Sequence, residues 1–262
     1  MKARILEAIS FITEDNWTDT DRIRKDVFFK LFGERGRIKT PGIQSCRWVA
    51  TGAANRIIDA NAFGPGNFIF TMCYNRYYAS VIRRLYGEVV LVDDYTVEEF
   101  IEDLQQLRRQ AKKDLAMCYV DNIGRLDTDE ISKHKAIMLQ TKATLNMMFS
   151  VFSCYDYGVN CAYVIEYARL TIRKDCKKLQ DEVGAIILTV NTDTIVLVAK
   201  KIPSLSFDTH NNIFNSVLIG AYAGQYAEIT KSCDNGGFFK ISRMPKAMGR
   251  IVASQKEFND AV

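Results

Sequence analysis

GAIILTVNTDTIVLVA, residues 184–199, decides the fold class. Two apolar, β-branched runs, AIILTV (185–190) and TIVLVA (194–199), flank Asn191-Thr192-Asp193. Short runs of this kind, bounded by polar turn residues, read as paired strands of a hairpin. The long segments before Gly184 are helical in period, so the class is α+β. A helix-rich N-terminal and middle portion precedes a smaller α/β portion that contains β-hairpins.

Upstream, three long helices are expected. The first, about 97–118, is opened by Thr96-Val-Glu-Glu99, the pattern of a capping box. Its apolar stripe is Val97, Phe100, Ile101, Leu104, Leu107, Ala111 and Leu115. The second, about 129–152, repeats apolar residues every seven: Ile131, Met138, Leu145 and Phe152. The third, about 159–183, carries Cys161, Val164, Ile165, Ala168, Ile172, Leu179 and Val183. Ahead of them EVVLVDD (88–94) reads as a buried strand, and FIFTMCY (68–74) is an apolar stretch after the turn FGPGNF. Near the start, residues 2–13 form a short helix. A second follows with Ile23, Val27, Phe28, Leu31 and Phe32 at helical spacing, capped by Asp19 or Thr20 and ended by Gly33.

Downstream of Pro203 the spacing of Ile213, Phe214, Val217, Leu218 and Tyr222 predicts a helix over about 209–223. YAEITKSC and FFKISRM then flank Asp234-Asn-Gly-Gly237, a strong hairpin signal because Asn-Gly accepts the positive φ of a tight turn. GRIVAS (249–254) adds a further strand. The order helix, two strands, helix, two or three strands resembles that of longin- and roadblock-type domains, in element order alone. Three portions are expected: a basic helix/loop portion, 1–95; a long-helix portion, 96–152; and an α+β portion with two hairpins, 153–262. The last two are expected to share one core.

Charge is unevenly placed. Residues 22–87 hold 12 Lys and Arg against three acids, leaving 23 bases against 28 acids elsewhere. The net charge of +4 therefore hides a basic segment of +9 and a remainder of −5. Clustered Arg-rich charge attracts phosphate backbones or acidic partners. Within it, CYNRYYASVIRRLYG (73–87) interleaves aromatic rings with guanidinium groups. Rings stack on exposed bases and Arg forks engage phosphate. The nucleic-acid-binding set expected from sequence is Arg35, Arg37, Lys39, Arg47, Tyr74, Arg76, Tyr77, Tyr78, Arg83 and Arg84. The competing reading places Tyr74, Tyr77, Tyr78, Ile82 and Leu85 on one helical face, as core.

Other chemistry is thinly supported. The two histidines, His134 and His210, have no Cys or acidic partner at ligand spacing, and the seven cysteines form no CxxC pair. No metal or cofactor is expected, and a disulfide framework is not. Asp93 and Asp94 follow a strand, where phosphoryl-transfer enzymes hold Mg²⁺, but they also suit the positive end of the next helix. DNIGRLDTDEI (121–131) matches a calcium loop only in part, lacking two oxygen ligands. No Gly-rich phosphate loop and no GxSxG elbow is present. No apolar run is long enough to span a bilayer, and the N-terminus is interrupted by Glu7, Glu14 and Asp15, so a cytoplasmic protein is expected.

The leading expectation is a non-enzymatic, nucleic-acid-associated protein, favouring single strands, that also contacts protein or itself. The alternatives are a scaffold or adaptor subunit without nucleic-acid contact, and a metal-dependent phosphoryl-transfer or nuclease enzyme using Asp93 or Asp94.

Overall fold

The computed structural model describes residues 1–39, 45–52, 56–121, 128–214, 216–220, 226–231 and 237–242. The elements run α1 (Lys2–Ile9), α2 (Thr20–Ile23), a π-helical stretch (Arg24–Phe29), α3 (Lys30–Phe32), β1 (Arg47–Val49), β2 (Arg56–Asp59), a 3₁₀ turn (Ala60–Phe63), β3 (Phe68–Tyr74), α4 (Tyr77–Tyr86), β4 (Val90–Val92), β5 (Tyr95–Thr96), α5 (Val97–Asp121), α6 (Thr128–Cys154), α7 (Cys161–Val183), β6 (Ile186–Asn191), β7 (Thr194–Ala199), β8 (Thr209–Phe214), β9 (Ser216–Ile219), β10 (Tyr226–Lys231) and β11 (Gly237–Ser242). The α+β class holds, with helices dominating the first two-thirds and strands the remainder.

Two compact units are interleaved along the chain: Met1–Ile43 with Tyr78–Glu166, and Gln44–Tyr77 with Tyr167–Val262. The divisions fall at 43/44, within α4 and within α7. Contacts between sequence-distant segments, rather than changes in composition, set them.

In the first unit α5 packs along α6. The capping box forms as its sequence requires. Thr96 N–H donates to Glu99 Oε2 at 2.8 Å, and Glu99 N–H donates back to Thr96 Oγ1 at 3.3 Å. This satisfies donors that a helix start leaves orphaned. Val97, Phe100, Ile101 and Leu104 from α5, with Leu145, Met148, Val151 and Phe152 from α6, are buried. Phe28 meets Phe100 and Phe152 edge-on, at centroid distances of 5.8 and 6.0 Å. Such edge-to-face pairs add to the burial of the rings themselves. Asp19 caps α2 by accepting from Arg22 N–H, and Gly33 ends the helical run at φ 78°. EVVLVDD gives only the three residues of β4, paired with β5 alone. Leu91 is buried but Val90 is 53% exposed, so the expectation of a fully buried strand is corrected.

The second unit holds two antiparallel sheets, ordered β1-β6-β7-β3-β8 and β11-β10-β9-β2. β6 and β7 form the expected hairpin around Thr192 and Asp193, with Asn191 opposite Thr194. Ile58, Ile69, Leu188, Val196, Val198, Phe214, Val217 and Ile219 build its core. β10 and β11 pair as the second expected hairpin, in register from Tyr226↔Ser242 to Lys231↔Gly237. The strand expected at 249–254, and most of the partial calcium loop, lie outside the described residues.

The helix expected over 209–223 is not there: the segment forms β8 and β9. Thr209, Asn211 and Asn212 are poor helix formers, and the ladders to β3, β2 and β10 decide the matter. The likeness to longin- and roadblock-type element order falls with that helix.

Candidate nucleic-acid interface

The tyrosines of CYNRYYASVIRRLYG are structural. Tyr74 and Tyr77 are each 2% exposed and stack on one another at 4.6 Å between centroids. Tyr74 Oη donates to the buried carboxylate of Asp175 at 2.7 Å, and Tyr77 Oη donates to the Ala168 carbonyl at 2.6 Å. Burial first, then the bond to Asp175 and its charge, push the Tyr74 phenol far above its usual range. Tyr78 is half-buried and stacks on Phe149 at 4.6 Å. A ring packed this way offers no open face to a nucleobase, so the base-stacking role expected of Tyr74 and Tyr77 is corrected. The reason is local: Tyr74 ends β3 and Tyr77 opens α4, and both elements turn these rings inward.

The arginines of the same segment diverge. Arg83 forks onto Glu98, with Nη2 2.7 Å from Oε1, and lies 3.4 Å from Glu102, so carboxylates neutralise it. Arg76 is exposed and takes φ 50° at the exit of β3. Arg84 is exposed on α4.

The basic loop behaves differently. Residues 35–39 are not free chain. Ile38 N–H donates to Cys154 O at 3.0 Å and Asp156 N–H donates to Gly36 O at 2.9 Å, flanking an antiparallel bridge between Arg37 and Tyr155. Bonds on either side of a bridge make Arg37 and Tyr155 a directly opposed pair with side chains on one face. Alternate residues of an extended segment share a face. Arg35, Arg37 and Lys39 occupy alternate positions of this stretch, which in extended chain would space them about 6.7 Å apart. All three are exposed, and none is in a salt bridge among the described residues. The Arg35 guanidinium lies 5.7 Å from the Tyr157 ring centre and also donates to Leu91 O at 2.8 Å. Arg37 lies 6.0 Å from the Tyr155 ring, whose environment also includes Arg24 at 5.3 Å. Stacking on aromatic faces fixes guanidinium groups while keeping their charge. Burial raises the Tyr157 phenol to about 12 despite the opposing charge of Arg35.

Arg47 belongs to the second unit, where it begins a polar row that the sequence reading missed. By register, one face of the five-stranded sheet presents Arg47, Asn191, Thr194, Cys73 and His210 side by side. The next row is Val49, Thr189, Val196, Thr71 and Asn212, and beyond it the face turns apolar. Cys73 Sγ lies 3.3 Å from Thr194 Oγ1, which donates to Asp193 Oδ1 at 3.2 Å. His210 Nδ1 lies 3.0 Å from Asn75 Oδ1. In these rows two buried atoms have no hydrogen-bond partner among the described residues: Thr71 Oγ1, on a residue 1% exposed, and Asn191 Oδ1, on one 7% exposed. Thr192 sits at φ 58°, a conformation that β-branched residues avoid. The available signal was polar residues at alternate positions of otherwise apolar strands: Thr71 and Cys73 in FIFTMCY, Thr189 and Asn191 in IILTVN.

The remaining candidates resolve simply. Asp93 and Asp94 form the turn between β4 and β5, with Asp93 at φ 48°. Among the described residues no group of three or more His, Cys, Asp and Glu side chains could hold a metal ion. Burial raises the thiols of Cys161 and Cys176 to about 12, which keeps them protonated and unreactive near neutral pH. No described helix is long and apolar enough to cross a membrane.

Comparison with known protein families and with curated proteins gives no match. Among solved structures, the chain is similar to the family B DNA polymerase of the hyperthermophilic archaeon Pyrobaculum calidifontis. The TM-score is 0.55 at 10% sequence identity, over 87% of this chain and 33% of that one. At that identity the likeness is one of fold. This chain spans about a third of the length of the polymerase it matches.

Proposed function

We propose that the protein is a nucleic-acid-associated protein that binds rather than turns over its ligand, gripping the phosphate backbone through Arg35, Arg37 and Lys39. The observation that supports this is three exposed cations, Arg35, Arg37 and Lys39, at alternate positions of a stretch whose backbone is bonded to residues 154–156. A spacing of about 6.7 Å is comparable with the reach between neighbouring phosphates of an extended single strand. Because the segment is already ordered, binding loses less conformational entropy than ordering a free loop would. The likeness of fold to a DNA polymerase supports the class of ligand. Arg47, Arg76 and Arg84 are exposed as well. Tyr74 and Tyr77 take no part in this account.

Fluorescence anisotropy with labelled single-stranded DNA and RNA tests it. Saturable binding that weakens linearly in log–log form with rising salt is expected, and Arg37→Gln with Lys39→Gln weakens it without lowering stability. Binding that ignores both salt and these substitutions removes these cations from the interface. Arg35 is a poorer probe because its bond to Leu91 O also braces β4.

A further inference from the structure

We infer that the outer edge of β8, the last strand of the five-stranded sheet, pairs antiparallel with β8 of a second copy of this chain, about a two-fold axis at Asn211. The inference goes beyond the nucleic-acid reading and uses none of its residues.

β8 ends the sheet order β1-β6-β7-β3-β8, and no described strand pairs with its other side. Asn75 N–H donates to Asp208 O at 2.8 Å, one step beyond the β3–β8 pairing and in the same register. Opposite residues of an antiparallel pair alternate between exchanging both backbone bonds and exchanging none. Counted from Asn75 and Asp208, the bonded pairs are Cys73 with His210, Thr71 with Asn212 and Ile69 with Phe214. Tyr74 N–H turns the other way, to Asp193 O at 2.9 Å, as this alternation requires. Thr209, Asn211 and Ile213 therefore direct their N–H and C=O groups at the outer edge. His210, Asn211, Asn212 and Ile213 are exposed in succession, Ile213 to 56%. A row of outward donors and acceptors is a template for another strand.

The make-up of the strand selects a second copy as its occupant. Sheet edges are ordinarily guarded by charge, proline, bulges or brevity. β1 has three residues and begins with Arg47, and β2 carries Arg56 and Asp59. β8 has six residues, THNNIF, with no Lys, Arg, Asp, Glu or Pro, and its pairing with β3 runs without a register shift. It therefore neither repels its own copy nor offers a charge to a charged peptide. A two-fold axis at Asn211 sets Asn211 against Asn211 and, on either side, Thr209 against Ile213. All three outward residues then exchange bonds within the six-residue strand. Every other two-fold register leaves at least one of them without a partner from those six. Opposed residues share a face of the joined sheet. Ile213 gains cover from Thr209 of the second copy, and the two Asn211 amides, each donor and acceptor, bond to one another.

Sedimentation equilibrium of the full chain over a wide concentration range, without nucleic acid, tests this. A reversible monomer–dimer equilibrium is expected. Because backbone bonds rather than charges carry it, its affinity should hardly change between low and high salt. Asn211→Lys and Asn211→Asp each set two like charges face to face at the axis, and each should weaken the dimer about tenfold or more. An equimolar mixture of the two variants should restore it, since Lys then faces Asp; that rescue also shows that both variants are folded. A chain that is monomeric at every concentration, a dimer unmoved by either charge, or a mixture that stays monomeric would each overturn the inference. So would a monomer that takes an added extended peptide along β8, which assigns the edge to another occupant. With no nucleic acid present, failure here leaves the phosphate-binding reading untouched.

Discussion

Replacing Tyr74 by Phe removes one oxygen and leaves the ring. The hydroxyl donates to Asp175 at 2.7 Å, and Asp175 is 1% exposed. The carboxylate's other donors are Ser206 Oγ at 2.6 Å and Ser206 N–H at 3.2 Å. Among the described residues no salt bridge offsets its charge, so each hydrogen bond matters more than it would at the surface. A bond to a charged group contributes roughly 1.5–3 kcal/mol. Taking about 2 kcal/mol, Tyr74→Phe should lower Tm by roughly 4–8 °C for a chain of this size. The affinity of the folded protein for single-stranded DNA should not change. Thermal unfolding followed by circular dichroism reads the first quantity, and anisotropy reads the second. A cycle with Asp175→Asn sharpens the attribution, since the two losses should couple rather than add. An unchanged Tm in Tyr74→Phe, or strict additivity with Asp175→Asn, would refute the buried Tyr74–Asp175 bond and reopen the tyrosine to a role at the surface.

Thr96→Ala should cost about 1 kcal/mol by breaking the capping box of α5, measured by urea unfolding. Arg83→Ala should change stability by less than about 1 kcal/mol and leave DNA affinity nearly unaltered, because Glu98 and Glu102 already engage that guanidinium in a part-exposed site. Alkaline pH should destabilise the fold. Tyr157 titrates near 12 when folded against about 10 when unfolded, and Tyr74 and Tyr95 are also raised. The unfolded chain therefore loses its protons first, so this stability is complete below about pH 10 and is lost as pH climbs through the folded values. Denaturation midpoints flat from pH 9 to pH 12 would contradict the burial of these phenols.

What the sequence made legible follows the reach of each signal. α5 and its capping box were legible because both are local: spacing, cap and charge order lie within one run of residues. The hairpin at Asn191-Thr192-Asp193 was legible for the same reason. The stretch 209–223 was not, because its apolar spacing suits a helix and only pairing with β3, β2 and β10 makes it strand. The site followed the same rule. Charge composition singled out Arg35, Arg37 and Lys39, which are exposed. It said nothing of the segment 154–157 that pins them, which lies more than a hundred residues away. Tyr74 and Tyr77 look alike in sequence whether they face a base or a core, and only burial separates the two. The polar row needs five strands in register before Asn191, Thr194 and Cys73 become neighbours.

The most direct test is the salt dependence of single-stranded DNA binding by the unsubstituted chain and by Arg37→Gln/Lys39→Gln. Each phosphate contact on a single strand contributes about 0.7 to the slope of log affinity against log salt, so losing two should flatten it by about 1.4. That flattening, with an unchanged Tm, is the predicted result; an identical slope in the two proteins would contradict a backbone grip by these cations.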